Sequence, residues 1–278
     1  PGLAPPPYGR IRITRLSREK PVFLFRELSR HIAVVGKSFQ HDCISPEEAW
    51  ENAEREFLNL RLLRERFGMS DDSCQVVAPL GKNRELRAMV IMEWAPGHSL
   101  DYHIAAAVRE QRFQGLYDRL GHLAKFFSRL HGNSQSDRPA SVEAAGRYLE
   151  GLLDSLRRGP LGDFQRDAIE RYSSRWWDGP GVLGGDSEVL VHGDATPTNF
   201  LFHHGTVRGI DLERMGWGDR CWDLGFMAAE LKHHFMWRAG NGAAAEPLIG
   251  HLLWEYWLGH SRGGGAQAFQ DITGRLPL

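Results

Sequence analysis

One stretch, Val189 to Glu213, constrains this chain more than any other. The apolar run Val189-Leu190-Val191 breaks at Gly193, turns through Thr196-Pro197-Thr198 and re-enters an apolar strand at Phe200. That is the pattern of two strands joined by a tight polar loop, with Asp194 and Asn199 at its two mouths. Leu201-Phe202, a His203-His204-Gly205 turn and Thr206 to Ile210 then read as a hairpin, which returns the chain to the level of Asn199 and delivers Asp211. Two carboxylates and a carboxamide are thereby gathered around one loop. His192 is read as shaping that loop by hydrogen bonding rather than as a titrating group. Glu213 shares a strand face with Asp211 and either supports the same site or caps a neighbour.

A chain of 278 residues, 42% hydrophobic and 25% charged, has material for two lobes with separate cores. The net charge of -1 and the absence of a basic run in the order of residues imply neither nucleic acid nor an anionic membrane as a partner. There is no apolar run of about eighteen residues and no charged-then-apolar leader, so neither a spanning segment nor a signal peptide is expected. Cys43, Cys74 and Cys221 stand at unrelated spacings, which speaks against a disulfide framework or a zinc site. A reducing compartment, the cytoplasm, is the expectation.

Three strands are expected over Arg10 to Leu16, Val22 to Leu28 and Ile32 to Phe39, forming an antiparallel sheet. On the third, Ala33, Val35 and Lys37 share a face, so a lysine ends an apolar row. It either meets a carboxylate or a phosphate, or runs off the strand end to water. Pro46 to Phe67 is the clearest helix: Ser45 caps it, Pro46 suits its first turn, Glu47 and Glu48 favour its dipole and Gly68 ends it. Its apolar stripe is read as Trp50, Ala53, Phe57, Leu60, Leu63 and Phe67, with Glu56 roughly 50° from the stripe centre and every other acid more than about 100° away. An inward carboxylate wants a cation, and Lys37 is the candidate. Leu86 to Trp94 reads as a further strand, broken by Ala95-Pro96-Gly97. The rest is mostly helical, with a stripe of Leu116, Leu120, Leu123, Phe127 and Leu130 ending at His131, taken as a helix-end histidine. A helix is expected over Trp222 to His234, which Asp219 or Asp223 would cap, and another over Pro247 to His260.

The motif His192-Gly193-Asp194, four residues and Asn199, then Ile210-Asp211-Leu212-Glu213, Gly218-Asp219 and Trp222-Asp223-Leu224, resembles the aminoglycoside phosphotransferase and choline kinase superfamily, the small-molecule branch of the kinase-like fold. Weaker correspondences run from about residue 30 to 235. The resemblance implies an α+β, protein-kinase-like bilobal fold. Residues 1–94 would form a nucleotide-binding lobe of antiparallel sheet plus one helix, 95–98 a hinge, and 99–278 a larger, mainly helical catalytic and substrate-binding lobe. It implies transfer of the γ-phosphate of ATP or GTP to the hydroxyl of a small substrate. Asp194 would be the base; Asn199 and Asp211 would hold Mg²⁺; Lys37, locked by Glu56, would hold the α and β phosphates; and the backbone of Glu93, Trp94 and Ala95 would meet the adenine edge. Asp223 would then brace the catalytic loop from below. The chain departs from the kinase pattern in the Ser17-Arg18-Glu19-Lys20 turn, which has no Gly-x-Gly to let backbone approach phosphates.

Two other classes draw on the same residues. A nucleotide-binding pseudokinase or interaction module usually lacks the lysine, the base or a metal ligand, and all are present here. A metal hydrolase built on His192, Asp194, His203 and His204 would need two neighbouring histidines to face one site on a strand. The acceptor is not fixed by charge: from Cys221 onward the acids Asp223, Glu230, Glu246, Glu255 and Asp271 are balanced by Lys232, Arg238, Arg262 and Arg275, so no acid-rich funnel for a polycation stands out.

Overall fold

The structure is a computed structural model that describes residues 10–18, 20–30, 32–41, 43–70, 73–178, 186–260 and 266–275. Its contacts divide the chain into two units, Pro1–His122 with Pro197–Met215, and Leu123–Thr196 with Gly216–Leu278. Among the described residues no helix is long and apolar enough to cross a membrane.

The first unit contains a five-stranded antiparallel sheet in the order β1 (Ile11–Arg15), β2 (Val22–Glu27), β3 (Ala33–Ser38), β6 (Met89–Glu93), β5 (Pro79–Asn83). The expected strand over Leu86 to Trp94 is shorter at its start, because Arg87 and Ala88 take positive φ values of 58° and 49° and complete the turn from β5. Strands β4 (Cys74–Val76) and β5 were not legible: β4 has only three residues, and in β5 Gly81 and Lys82 give no alternation to read.

Helix α1 (Pro46–Arg66) begins as expected, with the Ser45 side chain accepting from Glu48 N at 3.1 Å, and ends where Phe67 N donates to Leu63 O at 3.2 Å before Gly68 turns left-handed at φ 65°. Its buried face is Ala49, Ala53, Glu56, Leu60 and Leu63. Trp50, Phe57 and Phe67, expected in the stripe, are only half-buried. The two alanines let the helix approach closely, while Trp50 and Phe57 lie on its flank under the Lys82 ammonium. The helix is therefore rotated toward Glu56, which sits at the centre of the buried face rather than at its edge.

A second sheet in the same unit has the order β4, β10 (Thr206–Gly209), β9 (Phe200–His203), β7 (His98–Ser99), with β10 parallel to β4 and the other pairs antiparallel. The hairpin between β9 and β10 turns on His204 and Gly205, at φ 45° and 79°, the left-handed pair that a two-residue turn requires. Gly97 takes φ 114° and passes so close to β9 that an added Cβ would stand 2.1 Å from Phe202 O. Ser99 then caps α2 (Leu100–Glu110) through Tyr102 N at 3.3 Å.

Helix α3 (Gln114–Asn133) buries Leu116, Leu120, Leu123, Phe127 and Leu130, the stripe read from sequence. The second unit continues with α4 (Val142–Arg157), α5 (Asp163–Asp178), the short ribbon of β8 (Val189–Val191) and β11 (Gly216–Gly218), and helices α6 (Cys221–Ala239), α7 (Glu246–His260) and α8 (Ala266–Arg275). Helix α6 runs past the expected end at His234 to a left-handed Gly240. Its last turn carries exposed Met236 and Trp237, so apolar periodicity could not mark the end. Leu248, Ile249, Leu252, Leu253 and Tyr256 of α7 are buried.

Candidate active site

Lys37 stands on β3 opposite Val22 of β2 and Val90 of β6, with its side chain 6% exposed. Its ammonium is 2.6 Å from Glu56 Oε2, bonds Asp211 Oδ1 and lies 2.8 Å from Glu213 Oε2, while the Phe39 ring approaches to 4.4 Å. The pairing of strand lysine and helix glutamate expected from periodicity is thus made, and it extends to two further carboxylates. Glu56 is fully buried, and its Oε1 has no hydrogen-bond partner among the described residues.

The hairpin and a residue on α1 bring Asp211 to this lysine. Ile210 N donates to Asn199 O at 3.0 Å, placing Asp211 one residue beyond the buried Asn199. Asp211 adopts φ 63°, a left-handed conformation that Asp tolerates better than most residues. The next peptide is held from α1 by Asn59 Nδ2, which donates to Leu212 O at 2.7 Å, and the Leu212 side chain is buried. Asp211 and Glu213 alternate around Leu212, so both carboxylates face Lys37.

A second lysine closes the cluster. Lys20 Nζ lies 2.8 Å from Asp211 Oδ2 and 3.5 Å from Glu213 Oε1. Three carboxylates therefore face two ammonium groups, with an excess negative charge at their centre. Burial opposes charge on Lys37, but Glu56, Asp211 and Glu213 outweigh it and raise its pKa well above the ordinary lysine value. Burial raises the carboxyl of Glu56, with Lys37 pulling the other way. For Asp211 burial also acts upward, yet Lys37 and Lys20 hold it far below the usual carboxylate range. Among the described residues Glu56, Asp211 and Glu213 form the one group of three acidic, His or Cys side chains whose ligand atoms all lie within 4.8 Å of one another. Its donors are all carboxylate oxygens, and one of them, Glu56 Oε1, is an orphaned buried acceptor; this chemistry fits a hard divalent cation such as Mg²⁺. His192, Asp194, His203 and His204 form no such group, which leaves the hydrolase reading without a donor set.

The loop at Asp194 is built within the second unit. Asp223 of α6 is fully buried and accepts from His192 N at 2.7 Å and Gly193 N at 3.1 Å. Gly193 takes φ 80°. His131 Nε2 lies 3.2 Å from the same carboxylate, and its Nδ1 is 3.0 Å from the Tyr256 hydroxyl. Asp219 lies one residue before the Arg220 N-cap of α6, and its Oδ1 accepts from Cys221 N at 2.8 Å. Of the cap and brace that sequence left open for Asp223, the structure shows contacts to the loop and no side-chain cap on α6. His131 is not merely a helix-end histidine: it is buried and joins α7 to the loop brace. Asp194 N contacts His192 Nδ1 at 3.4 Å and Asp194 O accepts from Thr196 N at 2.8 Å. The Asp194 side chain is half-buried.

Glu93, expected to contribute backbone, also has a local structural use: its Oε1 accepts from Ala78 N at 2.9 Å, with Arg64 3.9 Å away. Trp94 and Ala95 follow β6 directly, half-buried and buried respectively. Sequence reasoning missed Lys20 and Asn59. Neither had a signal: Lys20 lies in a polar turn and Asn59 on a helix rich in polar residues.

The model of the phosphotransferase enzyme family matches residues 43–257. The structure of a choline/ethanolamine kinase family protein from Mesorhizobium loti is similar with a TM-score of 0.58 at 15% identity, over 94% of this chain and 74% of that one. A glucosamine kinase in complex with glucosamine, ADP and inorganic phosphate gives a TM-score of 0.55 at 15% identity, over 90% of this chain and 68% of that one. The aminoglycoside phosphotransferase APH(3'')-Id from Streptomyces rimosus gives 0.51 at 16% identity, over 96% and 92%. No curated protein matches significantly in sequence. At these identities the structural likeness is one of fold, and that fold is kinase-like: an N-terminal antiparallel sheet followed by a mainly helical region.

Proposed function

The chain belongs to the phosphotransferase enzyme family and is a small-molecule kinase of that family, and on this premise we propose how its residues share the transfer of the γ-phosphate of ATP or GTP to a substrate hydroxyl. The observation that carries the proposal is the buried Lys37, held by Glu56 and turned onto Asp211 and Glu213. A buried lysine anchored by a fully buried carboxylate is fixed in direction, which is what aiming at the α and β phosphates demands. Asp211 and Asn199 would hold the divalent cation, with Glu213 as a further oxygen donor. Such a cation would supply positive charge against the phosphate oxygens. Asp194 accepts the proton of the attacking hydroxyl, and Asp223 fixes the loop that carries it. The backbone of Glu93, Trp94 and Ala95 takes the adenine edge.

The acceptor is proposed to be an alcohol that also carries an amine, the chemistry shared by ethanolamine, glucosamine and aminoglycosides, after which the similar structures are named. The test is ADP or GDP release with Mg²⁺ against ethanolamine, choline, glucosamine, aminoglycosides, homoserine, macrolides and neutral sugars, with the product followed by ³¹P NMR. Turnover confined to amine-bearing alcohols is the expected result. Turnover with neutral sugars alone refutes the acceptor class, and nucleotide binding without transfer to any alcohol favours a nucleotide-binding module without transfer activity.

A further inference from the structure

Lys20 belongs to no part of the machinery set out above, yet it is built into the same cluster. It ends the turn between β1 and β2, and that turn is braced from inside. Arg15 donates to Ser17 O at 2.7 Å and to Arg18 O at 2.9 Å, and Lys20 N donates to Ser17 Oγ at 3.1 Å. Beyond it the proline ring of Pro21 restricts the chain, Ser38 N donates to Pro21 O at 3.0 Å, and Val22 pairs with Lys37. Lys20 therefore enters the sheet beside the strand end that carries Lys37. The two ammonium groups divide the same carboxylates between them. Lys37 takes Asp211 Oδ1 and Glu213 Oε2, and Lys20 faces Asp211 Oδ2 and Glu213 Oε1. The two differ in burial: the Lys37 side chain is 6% exposed and that of Lys20 is 48% exposed. One is fixed in the core and the other is on a flexible stem at the surface.

We infer that Lys20 is an exchangeable counter-ion of the phosphate site: it competes with the divalent cation for Asp211 and Glu213, and transfers to the nucleotide phosphates when cation and nucleotide enter together. This rests on the reading of Asp211 as a cation ligand. A lysine ammonium 2.8 Å from Asp211 Oδ2 and a divalent cation at about 2.0–2.1 Å on the same carboxylate repel each other, so each weakens the other's hold on it. Occupation by the cation therefore favours release of Lys20. The released ammonium, tethered to a turn that lacks the Gly-x-Gly backbone donors, can donate hydrogen bonds to phosphate oxygens in their place. Lys20 thus opposes binding of the cation alone and favours binding of the cation with its nucleotide, so the two ligands bind cooperatively.

The test measures binding apart from turnover. Mn²⁺ alone is titrated by electron paramagnetic resonance into the wild type, Lys20→Met, Lys20→Arg and Asp211→Asn, and ADP is titrated by calorimetry with and without Mn²⁺. Removing one unit charge a few ångströms from the cation in a half-exposed site is expected to tighten Mn²⁺ binding in Lys20→Met by roughly five- to twentyfold. ADP is expected to bind several-fold more weakly, and the gain in ADP affinity on adding Mn²⁺ to shrink. Lys20→Arg keeps the charge and is expected to stay near wild type in Mn²⁺ affinity. Mn²⁺ affinity unchanged or weakened in Lys20→Met, with Asp211→Asn losing it, overturns the counter-ion role alone. Mn²⁺ binding that survives in Asp211→Asn overturns the cation site on which the inference stands. Because Lys20 is half-exposed, its removal is not expected to lower the unfolding midpoint, and a fall of more than a few degrees would make Lys20 structural and overturn the inference.

Discussion

Replacing Asp223 by Asn changes one buried oxygen to a nitrogen and nothing in volume, so its effect isolates the brace under the loop. Oδ2 serves two groups, His192 N at 2.7 Å and His131 Nε2 at 3.2 Å, whereas Oδ1 serves Gly193 N at 3.1 Å. The amide oxygen keeps the two contacts and the amide nitrogen is left facing the Gly193 N–H. A buried backbone donor without its acceptor costs about 1–3 kcal/mol. The two retained hydrogen bonds pass from a charged to a neutral acceptor, which roughly halves them, for about 0.5–1 kcal/mol each. The expected loss is about 3 kcal/mol in urea unfolding at unchanged m-value, or a midpoint lowered by roughly 6–12 °C in a domain of ordinary size. In kinetics the loop that carries Asp194 loosens, so kcat falls while nucleotide Kd, set at Lys37, holds. A stability change within about 0.5 kcal/mol, or a change in nucleotide Kd with kcat untouched, would refute the brace.

Lys37→Ala is expected to raise the nucleotide KM or depress kcat strongly, and Glu56→Gln to act in the same direction but less, since Asp211 and Glu213 still hold the lysine; wild-type steady-state kinetics in both variants would remove Lys37 from the phosphate site. Asp194→Asn should leave calorimetric binding of ATP with Mg²⁺ near wild type while single-turnover transfer slows by roughly 10²- to 10⁴-fold; transfer at the wild-type rate would end its role as base. Burial, helped by Arg220 and His131, pushes His260 down to about 4, below the ordinary histidine value. The unfolded chain therefore takes up the proton first, and stability should fall as pH drops from about 6.5 toward 4. Urea midpoints across that range should fall less steeply in His260→Gln, and an identical slope would show that His260 does not contribute.

Local rules carried the sequence reading wherever one residue determined one structural fact. The Ser45 cap, the stop at Gly68, the turn at His204-Gly205 and the period of two that set Lys37 on an inner face are each a matter of a few neighbours. The Glu56 pairing was legible because a single acid fell near the apolar stripe of α1, although large aromatic residues drew the estimated stripe away from its true centre. Other features depend on chain segments far apart in sequence and left no local trace. Asn59 reaches the peptide of Leu212 across 153 positions, Lys20 reaches Asp211 across 191, and His131 reaches Asp223 across 92. Each is a polar residue whose partner is chosen by tertiary packing, and periodicity has no means of naming it. The edge strand β7, two residues long, exists only because β9 is there to receive it.

The first unit is assembled from two pieces of chain, and this has a consequence for synthesis. Strand β4 finds its neighbour in β10 and β7 finds its neighbour in β9, both of which are supplied after Pro197. As the ribosome extends the chain, the N-terminal piece emerges complete to His122 with those two edges and the Gly97 crossing still without the hairpin that packs on them. The intervening residues 123–196 must be made before it arrives. During that interval Glu56 of α1 has Lys37 as its partner with neither Asp211 nor Glu213 yet translated, so the cluster passes from one carboxylate against two lysines to three only late. A fragment cut at residue 122 would be frozen at this stage, a sheet and helix with two raw edges, and a nascent-chain chaperone would meet the same surface.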